Sequence, residues 1–192
     1  MNLPNKLTLS RLILSLPVAY TLLSARDGEW LMWFLSLALF SAASLTDAFD
    51  GSIARKRGIV TNFGKLLDPV ADKVLVTSVF ACFTAMGLCS PWVLIIVLTR
   101  EFLVMSIRMV AASEGTVIPA NKWGKAKTIT QMTAIIMIYA IKLFGAVFPS
   151  LAAYVPWLGK VGDAALWLAA AITVVSGVIY CVSGRELFSG IK

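Results

Sequence analysis

Residues 46–73, TDAFDGSIARKRGIVTNFGKLLDPVADK, lie between two apolar segments and hold four of the ten acidic residues of the chain. All four stand at helical spacing. Asp47 and Asp50 are three apart and Asp68 and Asp72 four apart, so each pair shares one face of its helix. The flanking segments place these carboxylates at or just inside a membrane boundary, where an Asp at a helix centre costs ~2.5–3.5 kcal/mol on insertion scales. Four unpaired carboxylates have no structural purpose in such a place. One or two bound divalent cations are the natural compensation.

The membrane premise rests on composition. Of 192 residues, 59% are hydrophobic and 14% charged, and the mean hydropathy of +0.85 lies outside the usual soluble range. An all-α, polytopic integral membrane protein is expected, forming a single domain over residues 1–192 with little mass outside the bilayer. The net charge of +7 does not point to nucleic acid, because the basic residues flank the apolar runs. That arrangement fits positive-inside anchoring and contact with anionic membrane lipid. Cys82, Cys89 and Cys181 sit in apolar runs without C-x-x-C spacing and read as small core residues. The chain has no histidine, so a general base must be a carboxylate or an amine. A metal site must be built from oxygen donors, which favours magnesium, manganese or calcium over zinc.

Six apolar spans follow in order. The first begins after Lys6 and Arg11 and runs to Leu23 without a small-x-small cleavage site, which separates it from a signal peptide. A tight outer loop, residues 26–29, precedes Trp30 and Trp33, which read as interfacial anchors. The second helix is apolar over residues 31–45, turns polar at Thr46 and ends at residues 55–58. Thr61 or Asn62 would cap the third, which is polar through Lys73 and apolar over residues 74–88. Pro69 inside it leaves the carbonyl of Lys65 without a donor and implies a bend. The fourth span, residues 92–112, carries Arg100, Glu101 and Arg108, the first two placed to neutralise each other. The fifth opens with Lys122, Lys125 and Lys127 and extends to residue 148. An outer connection with Pro149, Pro156 and Trp157 leads to the sixth, residues 164–182, which ends at Arg185. Lys6, Arg11, Arg55, Lys56, Arg57, Lys65, Lys122, Lys125, Lys127, Arg185 and Lys192 fall on one side and Arg26 and Lys160 on the other. Eleven against two sets both termini in the cytoplasm.

The central stretch thus offers paired carboxylates from two adjacent helices at one membrane surface. Such a cluster can hold two metal ions and leave a carboxylate to take a proton. Gly51, Ala54 and Gly64 are small where helices must approach each other or a flat ligand, and Arg55 with the nearby lysines suits a phosphate. The implied substrate has phosphates in water and an apolar part in the bilayer.

The order Asp47-x-x-Asp50-Gly51-x-x-Ala54-Arg55, eight residues, then Gly64-x-x-x-Asp68-x-x-x-Asp72 resembles the signature of the CDP-alcohol phosphotransferase family at every defining position. The resemblance implies a six-helix membrane enzyme, usually a homodimer, whose active site faces the cytoplasm from the cell membrane. It implies displacement of CMP from a CDP-linked donor by an alcohol, with magnesium or manganese as cofactor, two ions in number. By position, Asp47, Asp50, Asp68 and Asp72 would be the metal ligands, with Asp72 also the catalytic base. Gly51, Ala54, Arg55 and Gly64 would line the nucleotide. Three further pieces, NLPNKLTLSR, REFLVMSIR and NKWGKAKTITQ, resemble the members that join CDP-diacylglycerol to glycerol 3-phosphate. Arg108, Lys122 and Lys125 are then candidates for the acceptor phosphate, being cations without carboxylate partners nearby in sequence. A relative using phosphatidylglycerol or an inositol phosphate is the nearest alternative. A cation transporter is the alternative from another class, disfavoured because the carboxylates crowd one end rather than the midplane.

Overall fold

A computed structural model describes the backbone of residues 3–57, 62–113, 115 and 121–183, and their side chains except at residues 3–8, 11, 46–57, 62–69 and 72. Among the described residues there are six α-helices and no strand. They are α1 (Leu3–Ser24), α2 (Trp30–Arg57), α3 (Asn62–Ala85), α4 (Pro91–Ser113), α5 (Lys122–Val147) and α6 (Val155–Ser183), with a 3-10 turn at Pro149–Tyr154 before the last. The expected end of the second helix at Gly58, a cap from Thr61 or the Asn62 side chain, and the basic residues Arg185 and Lys192 lie outside the described residues, while α3 continues as helix through Pro69.

The helices form one bundle. α1 packs on α2 and α3, α5 on α6, and α4 on both α6 and α3, while α2 closes against α5. Tyr139 stands at the centre of the core, fully buried, with Phe83 edge-on at 5.5 Å and Trp33 at 6.2 Å. Its hydroxyl shares a 2.8 Å hydrogen bond with Ser36, whose own hydroxyl reaches the carbonyl of Val18. Each polar atom in this apolar layer therefore has a partner, as burial requires.

The stretches Lys122–Val147 and Pro149–Ser183 are long and apolar enough to cross a membrane, and Leu12–Ser24, Trp30–Leu45 and Lys73–Ala85 are shorter apolar helices. Only 39% and 33% of the most apolar windows of the two long stretches are buried, so these are not core helices of a globule. Their apolar surface faces outward, as at Ile129, Ile136, Leu168 and Val178.

Three details differ from the sequence expectation. α3 stops at Ala85 rather than near Leu88, because Gly87 takes φ +72°. The amides of Leu88 and Gly87 then bond back to the carbonyls of Phe83 and Thr84, the double closure of a Schellman turn. α6 begins at Val155, so Pro156 and Trp157 belong to its first turn instead of a connection. A proline is tolerated there because the amide it lacks has no helical partner. Trp33 is not an interfacial anchor. It is 1% exposed, and its indole donates to the carbonyl of Arg26 at 3.2 Å, while Trp30 is exposed against Phe34. At the same end Lys142 pairs with Asp27 at 2.8 Å.

Candidate active site

The signature falls where α2 ends and α3 begins. Asp47 and Asp50 precede Arg57, the end of α2, by ten and seven residues; Asp68 and Asp72 follow Asn62, the start of α3, by six and ten. At 1.5 Å per residue, both pairs lie about 9–15 Å from the α2–α3 connection, on helices that touch. Gly51, Ala54 and Arg55 occupy the last turns of α2 and Gly64 the first of α3. The side chains of these eight positions lie outside the described residues. Among the described side chains no three Asp, Glu, His or Cys groups come together.

Next to Asp72, at Lys73, the bundle holds a buried charged layer. Lys73 of α3 and Lys127 of α5 each donate to one oxygen of Glu101 on α4. Arg100 adds a contact to Glu101 at 3.3 Å and donates to Ser176 of α6 at 2.7 Å. Its guanidinium also lies over the ring of Tyr180, 5.5 Å from the centroid. Gly177 makes room for the stem of this arginine, since a Cβ there would stand 3.1 Å from its Cγ. Arg100, Glu101 and Lys127 are all buried and Lys73 is partly so. The expected contact of Arg100 with Glu101 is thus present, and among the described residues three cations share that one carboxylate. The Nε of Arg100 is buried without a hydrogen-bond partner.

The layer continues to the start of α5. The amide of Asn121 donates to the Tyr180 hydroxyl at 3.3 Å, and the Asn121 side chain caps the helix by accepting from Gly124 at 2.7 Å. Lys122 and Lys125 follow on this first turn and are exposed, as is Arg108 two turns beyond Glu101 on α4. None of the three forms an ion pair among the described residues. One turn further into the bundle, Gln131 donates to Thr173 at 3.0 Å.

The charge pattern of the sequence sets Lys127 among the basic residues of the cytoplasmic side, whereas in the bundle it is buried on Glu101, and nothing in the sequence singles out Lys73 or Tyr180. A signal for Lys127 was present. Residues 127, 131, 134, 135 and 138 fall on one helical face, and that face is the buried one.

The comparisons with known proteins agree with one another. Residues 1–175 match the profile of the CDP-alcohol phosphatidyltransferase family. A protein of Bacillus subtilis (strain 168) named CDP-diacylglycerol–glycerol-3-phosphate 3-phosphatidyltransferase is 40% identical over 190 residues, covering 93% of each chain. Proteins of the same name from Rickettsia bellii (strain RML369-C) and Mycoplasma pneumoniae are similar. The first is 36% identical over 187 residues and 97% of each chain. The second is 35% identical over 159 residues, 83% of this chain and 69% of its own.

Proposed function

The chain belongs to the CDP-alcohol phosphatidyltransferase family, and from that premise we propose that it transfers the phosphatidyl group of CDP-diacylglycerol to glycerol 3-phosphate, giving phosphatidylglycerophosphate and CMP. It is an enzyme of phospholipid biosynthesis. The observation that carries this reading is the complete aspartate signature, set on two touching helices, in a chain that aligns nearly end to end with relatives of that name.

The donor set fits a divalent metal, since four carboxylates at helical spacing supply only hard oxygen ligands. Asp47, Asp50, Asp68 and Asp72 would hold two magnesium or manganese ions. When bound, such ions neutralise the diphosphate of the donor and the charge that builds as CMP leaves. Gly51, Ala54, Arg55 and Gly64 would lie along the cytidine diphosphate. Arg108, Lys122 and Lys125 are exposed cations free of ion pairs, available to a phosphate, and the last two sit on the first turn of α5, where the helix dipole favours an anion. In the reaction the acceptor hydroxyl oxygen bonds to the phosphorus attached to diacylglycerol, and the bond from that phosphorus to the CMP oxygen breaks. Asp72 takes the hydroxyl proton, and CMP leaves with the bonding electron pair.

All six helices would cross the cell membrane, with both termini and the site on the cytoplasmic side and a second copy completing a homodimer. The test is CMP release by the detergent-purified protein. Release should require both CDP-diacylglycerol and glycerol 3-phosphate, stop with excess chelator and return with magnesium or manganese. Undiminished turnover in chelator would remove the metal from the scheme. Equal use of phosphatidylglycerol or free glycerol would move the enzyme to another acceptor class.

A further inference from the structure

The charged layer joins every helix on which candidate acceptor or α3 residues stand. Lys73 follows Asp72 directly on α3, Lys127 comes two residues after Lys125 on α5, and Arg108 lies seven residues beyond Glu101 on α4. Glu101 is where the three helices meet, and Arg100 extends the junction to α6 through Ser176. Stability alone does not explain such a layer. A buried ion pair often gains nothing over apolar residues of the same volume, and among the described residues three cations here share a single carboxylate. What the arrangement does accomplish is geometric, because one rigid carboxylate fixes two lysines from different helices at once.

We propose that Glu101 is a positioning residue of the active site. By holding Lys73 and Lys127 on its two oxygens, it fixes the register between the helix of Asp68 and Asp72 and the helix of Lys122 and Lys125. The proposal rests on the function argued above. Glu101 touches neither substrate in this scheme. It sets the alignment of the acceptor hydroxyl with the donor phosphorus, to which a transfer of this kind is sensitive at the level of about one ångström.

Glu101→Gln keeps the shape but removes the carboxylate that Lys73, Arg100 and Lys127 share, so the hold of α4 on α3 and α5 loosens. The turnover number should fall on the order of 10²-fold, while the KM of each substrate stays within about threefold of wild type. Lys127→Met should give the same pattern. It removes one excess cation and so keeps the fold even where Glu101→Gln does not. Lys127→Arg should restore most of the rate, and Glu101→Gln combined with Lys127→Met should be no slower than Glu101→Gln alone, since both break one connection. Rates are taken well below each variant's measured melting temperature, so that a loss of folded protein does not count as a loss of turnover. A wild-type turnover number in Lys127→Met would overturn the proposal. So would a selective rise in the KM of glycerol 3-phosphate, which would make the layer part of the acceptor pocket. If the wild type releases no CMP from this substrate pair, the functional reading itself fails.

Discussion

Replacing Asp72 with Asn removes a proton acceptor and changes little else in volume, whereas replacing Arg108 with Gln removes a cation from an exposed stretch of α4. The two should therefore fail differently. A general base contributes ~10²–10⁴-fold, so Asp72→Asn should lose turnover in that range while CDP-diacylglycerol still binds. A charge-assisted hydrogen bond is worth about 1.5–3 kcal/mol, so Arg108→Gln should raise the KM of glycerol 3-phosphate roughly ten- to a hundredfold. The donor constant should barely move. Initial rates over a matrix of both substrates decide it, and a shift in the donor constant would assign Arg108 to the nucleotide. At this scale the sequence was informative wherever partners are close in the chain. Asp47 and Asp50, or Asp68 and Asp72, reveal themselves by spacing alone. Glu101 with Lys73 and Lys127, 28 and 26 residues away, does not, because only the packing of three helices brings them together.

Helices were legible from their apolar lengths, and their ends only where the ending residue acts locally. Pro156 reads as a breaker, yet it lies in the first turn of α6, where a missing amide costs nothing. Trp33 reads as an anchor, yet the side of α2 that meets α5 takes it into the core against Tyr139. Gly87 is the opposite case, a local residue whose left-handed conformation ends α3 at Ala85, short of the expected Leu88. An L-residue in this left-handed conformation costs about 1–2 kcal/mol. Gly87→Ala should thus lower the melting temperature by several degrees, roughly 2–4 °C per kcal/mol for a chain of this size. Turnover at low temperature should stay unchanged, since the turn lies twelve residues and more from Lys73 along α3. An unaltered melting temperature would mean that the turn can relax to another closure.

Taken as a whole molecule, the bundle has two unlike ends. Along α5, the buried Lys127 and the Lys142 that pairs with Asp27 are separated by about 22 Å, within a hydrocarbon thickness of ~30 Å. The orientation proposed puts Asp27 outside. Asp27→Cys should then react with an impermeant maleimide on intact cells, and Ser113→Cys only after permeabilisation; the reverse pattern would invert the topology. Between those ends the charged layer has a further effect. Among the described residues, three cations face one carboxylate on the Lys127 side of an aromatic layer of Trp33, Phe40, Phe83 and Tyr139. Fixed positive charge of this kind bars the passage of other cations. In the proposed scheme, divalent ions gathered at the aspartates would meet this cationic layer, and the electrical insulation of the membrane would survive the presence of a polar site within it.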